Sequence, residues 1–212
     1  MAYLFTDEHS INASDSASTD SFGRWRVSNP TTLFDSKQLN DNLPLFWDEE
    51  IVTSGGTTST YSAEDSSSTL TVGAASGDYV LRQTKMRFNY QPGKSQQKLM
   101  TFVLGNAVAN TSKKIGYYNT STVSPYTANI DGIYLGQDGT TQNIVQAKNG
   151  TETSVPQASW NIDTFDGTGP SGITIDWATT QILTIDYEWL GVGRVRVGFD
   201  INGIAYHAHY FE

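Results

Sequence analysis

Apolar and polar positions alternate most regularly in the C-terminal region, where they predict a β-hairpin. The segment Ile201–Ile204 (INGI) is a two-residue turn signal, because Asn and Gly both tolerate the positive φ angles of a type I′ turn. If Ile201 faces Ile204, the apolar face carries the opposed pairs Phe199–Tyr206, Val197–Ala208 and Val195–Tyr210. The polar face then carries Arg196–His209 and Gly198–His207. A one-residue slip would mix the faces, so the turn and the pattern agree.

A third strand is predicted immediately before this hairpin. A three-residue loop at 191–193 would place Trp189 opposite Val195, Tyr187 opposite Val197 and Ile185 opposite Phe199. On the other face Glu188 would then meet Arg196 as an opposite-charge pair. The pattern therefore predicts an antiparallel meander of strands at about 181–190, 194–201 and 204–211, with one apolar face that a second layer must cover.

Short strands separated by turn residues are predicted along the preceding chain. The segment Leu99–Leu104 (LMTFVL) is almost continuously apolar, which favours a central strand covered on both faces, or else a buried helical turn. The other predicted strands are Phe46–Val52, Thr57–Ser62, Ser68–Gly73, Asp78–Tyr90, Ile115–Tyr118, Ile130–Leu135 and Gln142–Ala147. Roughly eight to eleven strands without an amphipathic helix indicate an all-β protein. We predict an antiparallel β-sandwich over 31–212, with jelly-roll-like or Greek-key crossings.

Residues 1–30 are predicted to form an extended N-terminal arm. The stretch from Asp7 to Ser21 is dominated by Asp, Ser, Ala and Thr, and such a composition cannot bury enough apolar surface to fold alone. Aromatic residues flank it and are candidate anchors for docking on another subunit: Tyr3, Phe5, Phe22 and Trp25. The alternative is a frayed terminus.

The net charge of the chain limits the classes of molecule that it is expected to bind. The 212 residues carry a net charge of −9 and include no cysteine, which disfavours nucleic-acid or anionic-membrane binding and excludes disulfides and thiolate metal sites. No apolar stretch reaches the length of about 18 residues that a membrane-spanning helix needs. Between Asp78 and Met100, however, five basic residues oppose one acid. Of these, Arg82, Lys85 and Arg87 are candidates for an assembly interface, the alternative being a solvated strand face.

Four groups of residues were weighed as sites of chemistry. His207 and His209 have the spacing of a strand metal site, and Asp186 with Glu188 has the spacing of a glycosidase pair. Asp163, Asp166 and Asp176 flank a Gly-rich loop that could hold Ca²⁺ or be capped by its own side chains. Trp160 and Trp177 could stack on a sugar. Structural roles are favoured for all four groups, and we predict no cofactor.

Three stretches resemble a known family: Phe22–Lys37, Arg82–Gly105 and Ser159–Phe199. Together they are similar to a recurrent domain of virion structural proteins from tailed bacteriophages and some large DNA viruses of algae. The resemblance implies a non-enzymatic particle component, located in the virion and in the host cytoplasm during assembly, with other virion proteins as partners. Such relatives continue beyond the last hairpin, so we expect a short version or a fragment whose final strand edge can pair with a neighbouring copy.

The sequence leaves three functions open. The favoured one is a capsid-associated decoration or fibre-base protein that forms homo-oligomers, with trimers expected. The second is a carbohydrate-binding module on the virion exterior that uses Trp160 and Trp177. The third is a polysaccharide hydrolase built around Asp186 and Glu188.

Overall fold

The computed structural model of the chain describes residues 20–21, 31–120, 131–188 and 193–212. In these residues the protein is all-β, and every strand pairing is antiparallel. One short 3₁₀ helix spans Gln157–Ser159. The strands are β1 Trp47–Val52, β2 Thr58–Ser62, β3 Ser67–Thr71, β4 Tyr79–Thr84, β5 Gln96–Phe102, β6 Ser112–Tyr118, β7 Gly132–Asp138, β8 Thr141–Lys148, β9 Thr151–Pro156, β10 Gln181–Tyr187, β11 Val195–Ile201 and β12 Ile204–Phe211.

The chain divides into two compact units. Unit 1 comprises Met1–Ser28, Tyr90–Asn119 and Asn129–Glu212, and unit 2 comprises Asn29–Asn89 and Thr120–Ala128. The boundary after Asn89 lies inside the predicted 31–212 domain. Of the predicted arm, only Asp20 and Ser21 are described, and both are buried.

Unit 1 contains two four-stranded sheets, with strand orders β12-β11-β10-β5 and β6-β7-β8-β9. One apolar core takes Leu183, Ile185, Val197 and Phe199 from the first sheet and Leu135 and Ile144 from the second. The chain passes from the first sheet to the second after β5 and returns after β9. Two sheets that share a core in this way give unit 1 a β-sandwich-like arrangement.

The C-terminal hairpin forms at the predicted turn, but its register changes partway along. Ile201 faces Ile204 and Phe199 faces Tyr206 as expected, whereas Val197 faces His209 and Val195 faces Phe211. A β-bulge opposite the Val197–Gly198 step leaves Ala208 without a partner in the ladder. The loop that follows Trp160 binds the bulged residue. The Ala208 carbonyl accepts hydrogen bonds from the amides of Ile162 and Asp163, both at 3.1 Å.

The predicted register of β10 on β11 is wrong by two residues. Ile185 faces Val197 and Leu183 faces Phe199, while Arg196 faces Asp186 instead of Glu188. The reason is the connection, since β10 ends at Tyr187 and β11 begins at Val195, which is a longer loop than the three residues assumed. Because a shift of two preserves side-chain alternation, the predicted apolar and polar faces are nevertheless correct.

Strand β5 is an edge strand, not the central strand predicted from Leu99–Leu104. It pairs with β10 alone among the described strands, and its side chains alternate between half-buried and exposed. Leu99 is 61% exposed. The apolar run Leu99–Leu104 therefore begins in an edge strand that packs one face on the core and exposes Leu99 on the other.

Unit 2 contains two separate two-stranded sheets, β1-β4 and β2-β3. Strand β4 ends at Thr84, six residues before the end of the predicted strand at Tyr90. None of the apolar side chains described in unit 2 is fully buried. Since two-stranded sheets are marginally stable without a packed face, this unit depends on contacts beyond its own ladders.

Candidate functional site

An aromatic cluster organises the surface of unit 2 next to β1 and β4. The ring centroid of Phe34 lies 6.2 Å from that of Phe46, 5.9 Å from Trp47 and 5.5 Å from Phe88, always edge to face. Such geometry is favourable because the edge of one ring meets the electron-rich face of the other. The cluster joins three stretches of chain that are distant in sequence.

Several residues next to the members of this aromatic cluster in the chain have exposed apolar side chains. Leu45 is 85% exposed, and Phe46 itself is about half exposed. Leu33 precedes Phe34 in the chain, and the amide of Lys85 donates to the Phe46 carbonyl at 2.8 Å, which brings Met86 to the same area. We call this group the unit 2 surface; it consists of Leu33, Leu45, Phe46 and Met86. Sequence reasoning missed this surface, although Phe46 lies in the predicted strand Phe46–Val52.

Arg82, one of the predicted interface residues, makes its contacts within unit 2. Its buried guanidinium forms an ion pair with Glu49, donates to the Asn42 carbonyl and lies over the Trp47 ring, 4.9 Å from the centroid. The reason is its place in the ladder, where it directly faces Glu49 on β1. Arg82 is therefore engaged within unit 2, and its role in an assembly interface stays a prediction.

Lys85 and Arg87 are exposed, as an interface role requires. The Lys85 ammonium donates to the Pro44 carbonyl at 2.8 Å, which leaves its charge unneutralised. Among the described residues, neither side chain forms an ion pair with a carboxylate. A cavity of about 230 Å³ adjoins Lys85 and is lined by Asn42, Pro44, Trp47, Asp48, Glu49 and Arg82 as well.

The four predicted anchors of the arm, Tyr3, Phe5, Phe22 and Trp25, lie outside the described residues. Their role in assembly stays a prediction.

Trp160 is a core residue and cannot serve as a sugar platform. It is buried, its indole Nε1 donates to the Val155 carbonyl at 3.1 Å, and its ring packs on Phe165 and Phe199. Trp177 is half-buried and meets Phe199 edge to face at 5.6 Å. Only Trp177 keeps a partly accessible ring, so the pair of glycan contacts predicted from the sequence is incomplete.

The carboxylates of the hydrolase hypothesis are enclosed. Asp186 is 2% and Glu188 1% exposed. Asp186 pairs with the buried Arg196 and accepts a hydrogen bond from the Ser95 hydroxyl at 3.1 Å. Carboxylates that no polysaccharide can reach are not suited to hydrolysis, and the Asp186–Arg196 pair instead joins β10 to β11.

The β-bulge separates the two histidines of the predicted metal site. His207 faces Gly198 and packs on the Tyr210 ring, whereas His209 faces the core residue Val197 and packs on Phe211. Opposed residues share a face, so the two imidazoles lie on different faces. Burial lowers the pKa of His209, whose Nδ1 accepts from the amide of Asn161 at 3.2 Å. The described residues contain no cluster of three potential metal ligands.

The Gly-rich loop after Trp160 is capped by its own aspartates. The buried Asp163 accepts from the amides of Phe165 at 2.8 Å and Ser171 at 2.7 Å. Hydrogen bonds from Thr168 and Thr164 lower the pKa of Asp166 to about 2. These carboxylates are occupied by local donors, as the capped-loop alternative predicted.

Lys98 occupies an unusual position at the edge of the core in unit 1. Its ammonium lies 4.1 Å from the ring centroid of Tyr117 and 3.9 Å from that of Tyr187, and it donates to Gln96 at 2.7 Å. Burial lowers the pKa of Lys98 to about 7, against the opposing influence of the Asp186 charge. Burial also raises the pKa of Tyr187, with Tyr117 adding to the effect. The sequence placed Lys98 among the basic residues but did not reveal this enclosure.

We expect replacement of Lys98 by methionine to change how stability depends on pH. The folded-state pKa of about 7 lies below the ordinary 10.5, so between these values the unfolded chain binds more protons than the folded chain. The free energy of unfolding of the wild type should therefore rise with pH in this window, and Lys98→Met should remove that rise. Urea unfolding of both proteins at pH 6, 7.5 and 9 measures the difference.

The exposed Lys148 provides the control, because Lys148→Met should shift stability equally at all three pH values. A constant difference between wild type and Lys98→Met would contradict the enclosure of the amine.

Comparison with known proteins identifies no relative: no family model, curated protein or solved structure matches the chain. In the part of the chain that the structure describes, no helix has the length and apolar character needed to cross a membrane.

Proposed function

We propose that the protein is a non-enzymatic virion structural component, a capsid-associated decoration or fibre-base protein that assembles in several copies. The family assignment comes from the resemblance of Phe22–Lys37, Arg82–Gly105 and Ser159–Phe199. Its proposed partners are other virion proteins, and its proposed locations are the virion and, during assembly, the host cytoplasm. Within the proposal, unit 1 is a β-sandwich with jelly-roll-like crossings and residues 1–30 form an extended arm.

The observation that carries the proposal is the unit 2 surface. Unit 2 has no fully buried apolar side chain among its described residues, yet it presents Leu45 and Phe46 to solvent beside an aromatic cluster. Contiguous exposed apolar patches mark interaction sites in soluble proteins. A protein that assembles with other subunits accounts for both facts, since a neighbouring subunit would bury the apolar side chains that unit 2 leaves exposed.

The buried charges also favour a structural role. Asp186 with Arg196 and Glu49 with Arg82 each link neighbouring strands. The carbohydrate-binding alternative is weakened by the burial of Trp160, and the hydrolase alternative by the enclosure of Asp186 and Glu188.

Oligomeric state tests the proposal on the purified protein. We expect light scattering to give a molar mass near three times the 23.2 kDa of one chain, and Leu45→Asp/Phe46→Asp to reduce it to that of a monomer. A carboxylate at each position makes burial of the surface costly. Ile204→Asp, at an exposed apolar position of unit 1, is the matched control and should leave the molar mass unchanged.

Two measurements on purified virus particles test the proposed virion role directly. Mass spectrometry should detect the intact chain in them, and an image reconstruction should place it at symmetric positions. A wild-type protein that is monomeric at high concentration and missing from particles would overturn the proposal.

A further inference from the structure

We propose that the unit 2 surface binds the N-terminal segment Tyr3–Glu8 of a second copy of this chain. This inference rests on the proposed function, because exchange of a segment between copies serves a protein that assembles in several copies. The occupant is a short peptide segment with apolar residues followed by acids.

The surface has two chemical parts that lie side by side. Its apolar part comprises the exposed side chains of Leu33, Leu45, Phe46 and Met86, and the Phe46 ring packs on Phe34. Its basic part is formed by Lys85 and Arg87, both exposed and neither in an ion pair with a described carboxylate. Lys85 joins the two parts, because its ammonium donates to the carbonyl of Pro44, the residue before Leu45.

The segment Tyr3–Glu8 has the complementary chemistry, because apolar residues and acidic residues follow each other closely in it. Its sequence is YLFTDE, with three apolar side chains followed within one residue by Asp7 and Glu8. No Lys or Arg precedes Arg24, so no permanently charged cation close in sequence neutralises Asp7 and Glu8. An apolar–acidic segment thus meets an apolar–basic surface, and opposite charges steer and orient the encounter.

Arg82 gives the surface the rigidity that a binding site needs. Its contacts with Glu49, the Asn42 carbonyl and the Trp47 ring fix β1, β4 and the preceding loop relative to one another. A preformed surface lowers the entropic cost of binding, which then falls mainly on ordering the incoming segment. Each single contact is expected to be weak, and repetition around an oligomer supplies the avidity.

Photo-cross-linking between two differently tagged full-length copies tests the inference. One copy carries benzoylphenylalanine in place of Phe5, and the other is unmodified apart from its tag. Irradiation of the mixture should join the two tags, and mass spectrometry should place the link on peptides that contain Leu45, Phe46 or Met86. A link confined to one chain, a link to unit 1, or no link would overturn the inference.

Charge exchange tests the basic part of the surface. Lys85→Glu/Arg87→Glu in the acceptor copy should lower the cross-link yield about tenfold, because two exposed attractions are replaced by repulsions. Asp7→Lys/Glu8→Lys in the donor copy should restore it. Lys148→Glu is the control, and circular dichroism establishes that each variant folds. Failure of the exchanged pair to restore the yield would exclude ionic recognition by Lys85 and Arg87.

The two proposals fail in distinguishable ways. A protein found in particles without a cross-link between copies would leave the virion role standing and overturn the exchanged segment. A cross-link between copies of a protein absent from particles would do the reverse.

Discussion

We expect replacement of Phe199 by alanine to lower the free energy of unfolding by about 3–5 kcal/mol, the range for truncating a buried aromatic side chain. Phe199 is 0% exposed, and its ring centroid lies 5.3 Å from that of Phe165, 5.6 Å from Trp177 and 6.2 Å from Trp160. Removing the ring leaves a cavity that three aromatic neighbours line and cannot fill without shifting. Urea unfolding followed by circular dichroism and tryptophan fluorescence measures the loss.

Two further variants make the result interpretable. Ile204→Ala, at a 56% exposed position of the same hairpin, should change stability by no more than about 0.5 kcal/mol. Phe199→Leu keeps most of the volume and covers the case in which Phe199→Ala does not fold. A loss below about 1 kcal/mol for Phe199→Ala would contradict a close-packed core around this ring.

Replacement of Arg196 by methionine should cost about 3–5 kcal/mol, because it leaves the Asp186 carboxylate buried beside an apolar side chain. The two side chains are almost fully enclosed and form an ion pair between β10 and β11. The hydroxyl of Ser95 is a neutral donor to Asp186, and Lys98 interacts with the carboxylate electrostatically while donating its hydrogen bond to Gln96, so neither replaces the lost ion pair. Thermal and urea unfolding of the variant measure the cost.

The decisive comparison is the double variant Asp186→Leu/Arg196→Met. Removing both charges should recover most of the loss, because an apolar pair of similar volume avoids the desolvation of both ions. Lys114→Met breaks the partly exposed pair with Glu152 and should cost less than about 1 kcal/mol. If the double variant loses as much stability as the sum of the single variants, Asp186 and Arg196 are not energetically coupled.

Local patterns predicted the elements and faces of unit 1 well, but contacts between distant residues determined the register. The Asn202-Gly203 turn forms with φ angles of 55° and 78°, as the sequence indicated. The bulge could not be predicted, because it depends on the Ala208 carbonyl binding the amides of Ile162 and Asp163, which are far away in the chain. It also depends on Gly198, where a Cβ atom would clash with the Tyr206 carbonyl oxygen.

The candidate site was only partly visible in the sequence. Lys85 and Arg87 are exposed, but they lie beyond the end of β4 at Thr84, and their role in an interface stays a prediction. Arg82 lies between apolar residues of the predicted strand, with Val80 and Leu81 before it, and a charged side chain at a buried position is almost always paired. The apolar members of the unit 2 surface depend on the approach of Phe34 to Phe46 and Phe88, which no local pattern encodes.

The pairing of β5 with β10 has a consequence for how the chain is made. Gln96–Phe102 aligns with Gln181–Tyr187, and the whole β6–β9 sheet lies between them in sequence. Pairings of such long sequence separation form slowly, because a large loop must close before any contact compensates for the lost entropy. During synthesis the β6–β9 meander can fold as soon as it leaves the ribosome, whereas Gln96–Phe102 must wait for Gln181–Tyr187 to emerge. Until then, an apolar strand that includes Leu99 and Met100 is exposed to chaperones and to other nascent chains.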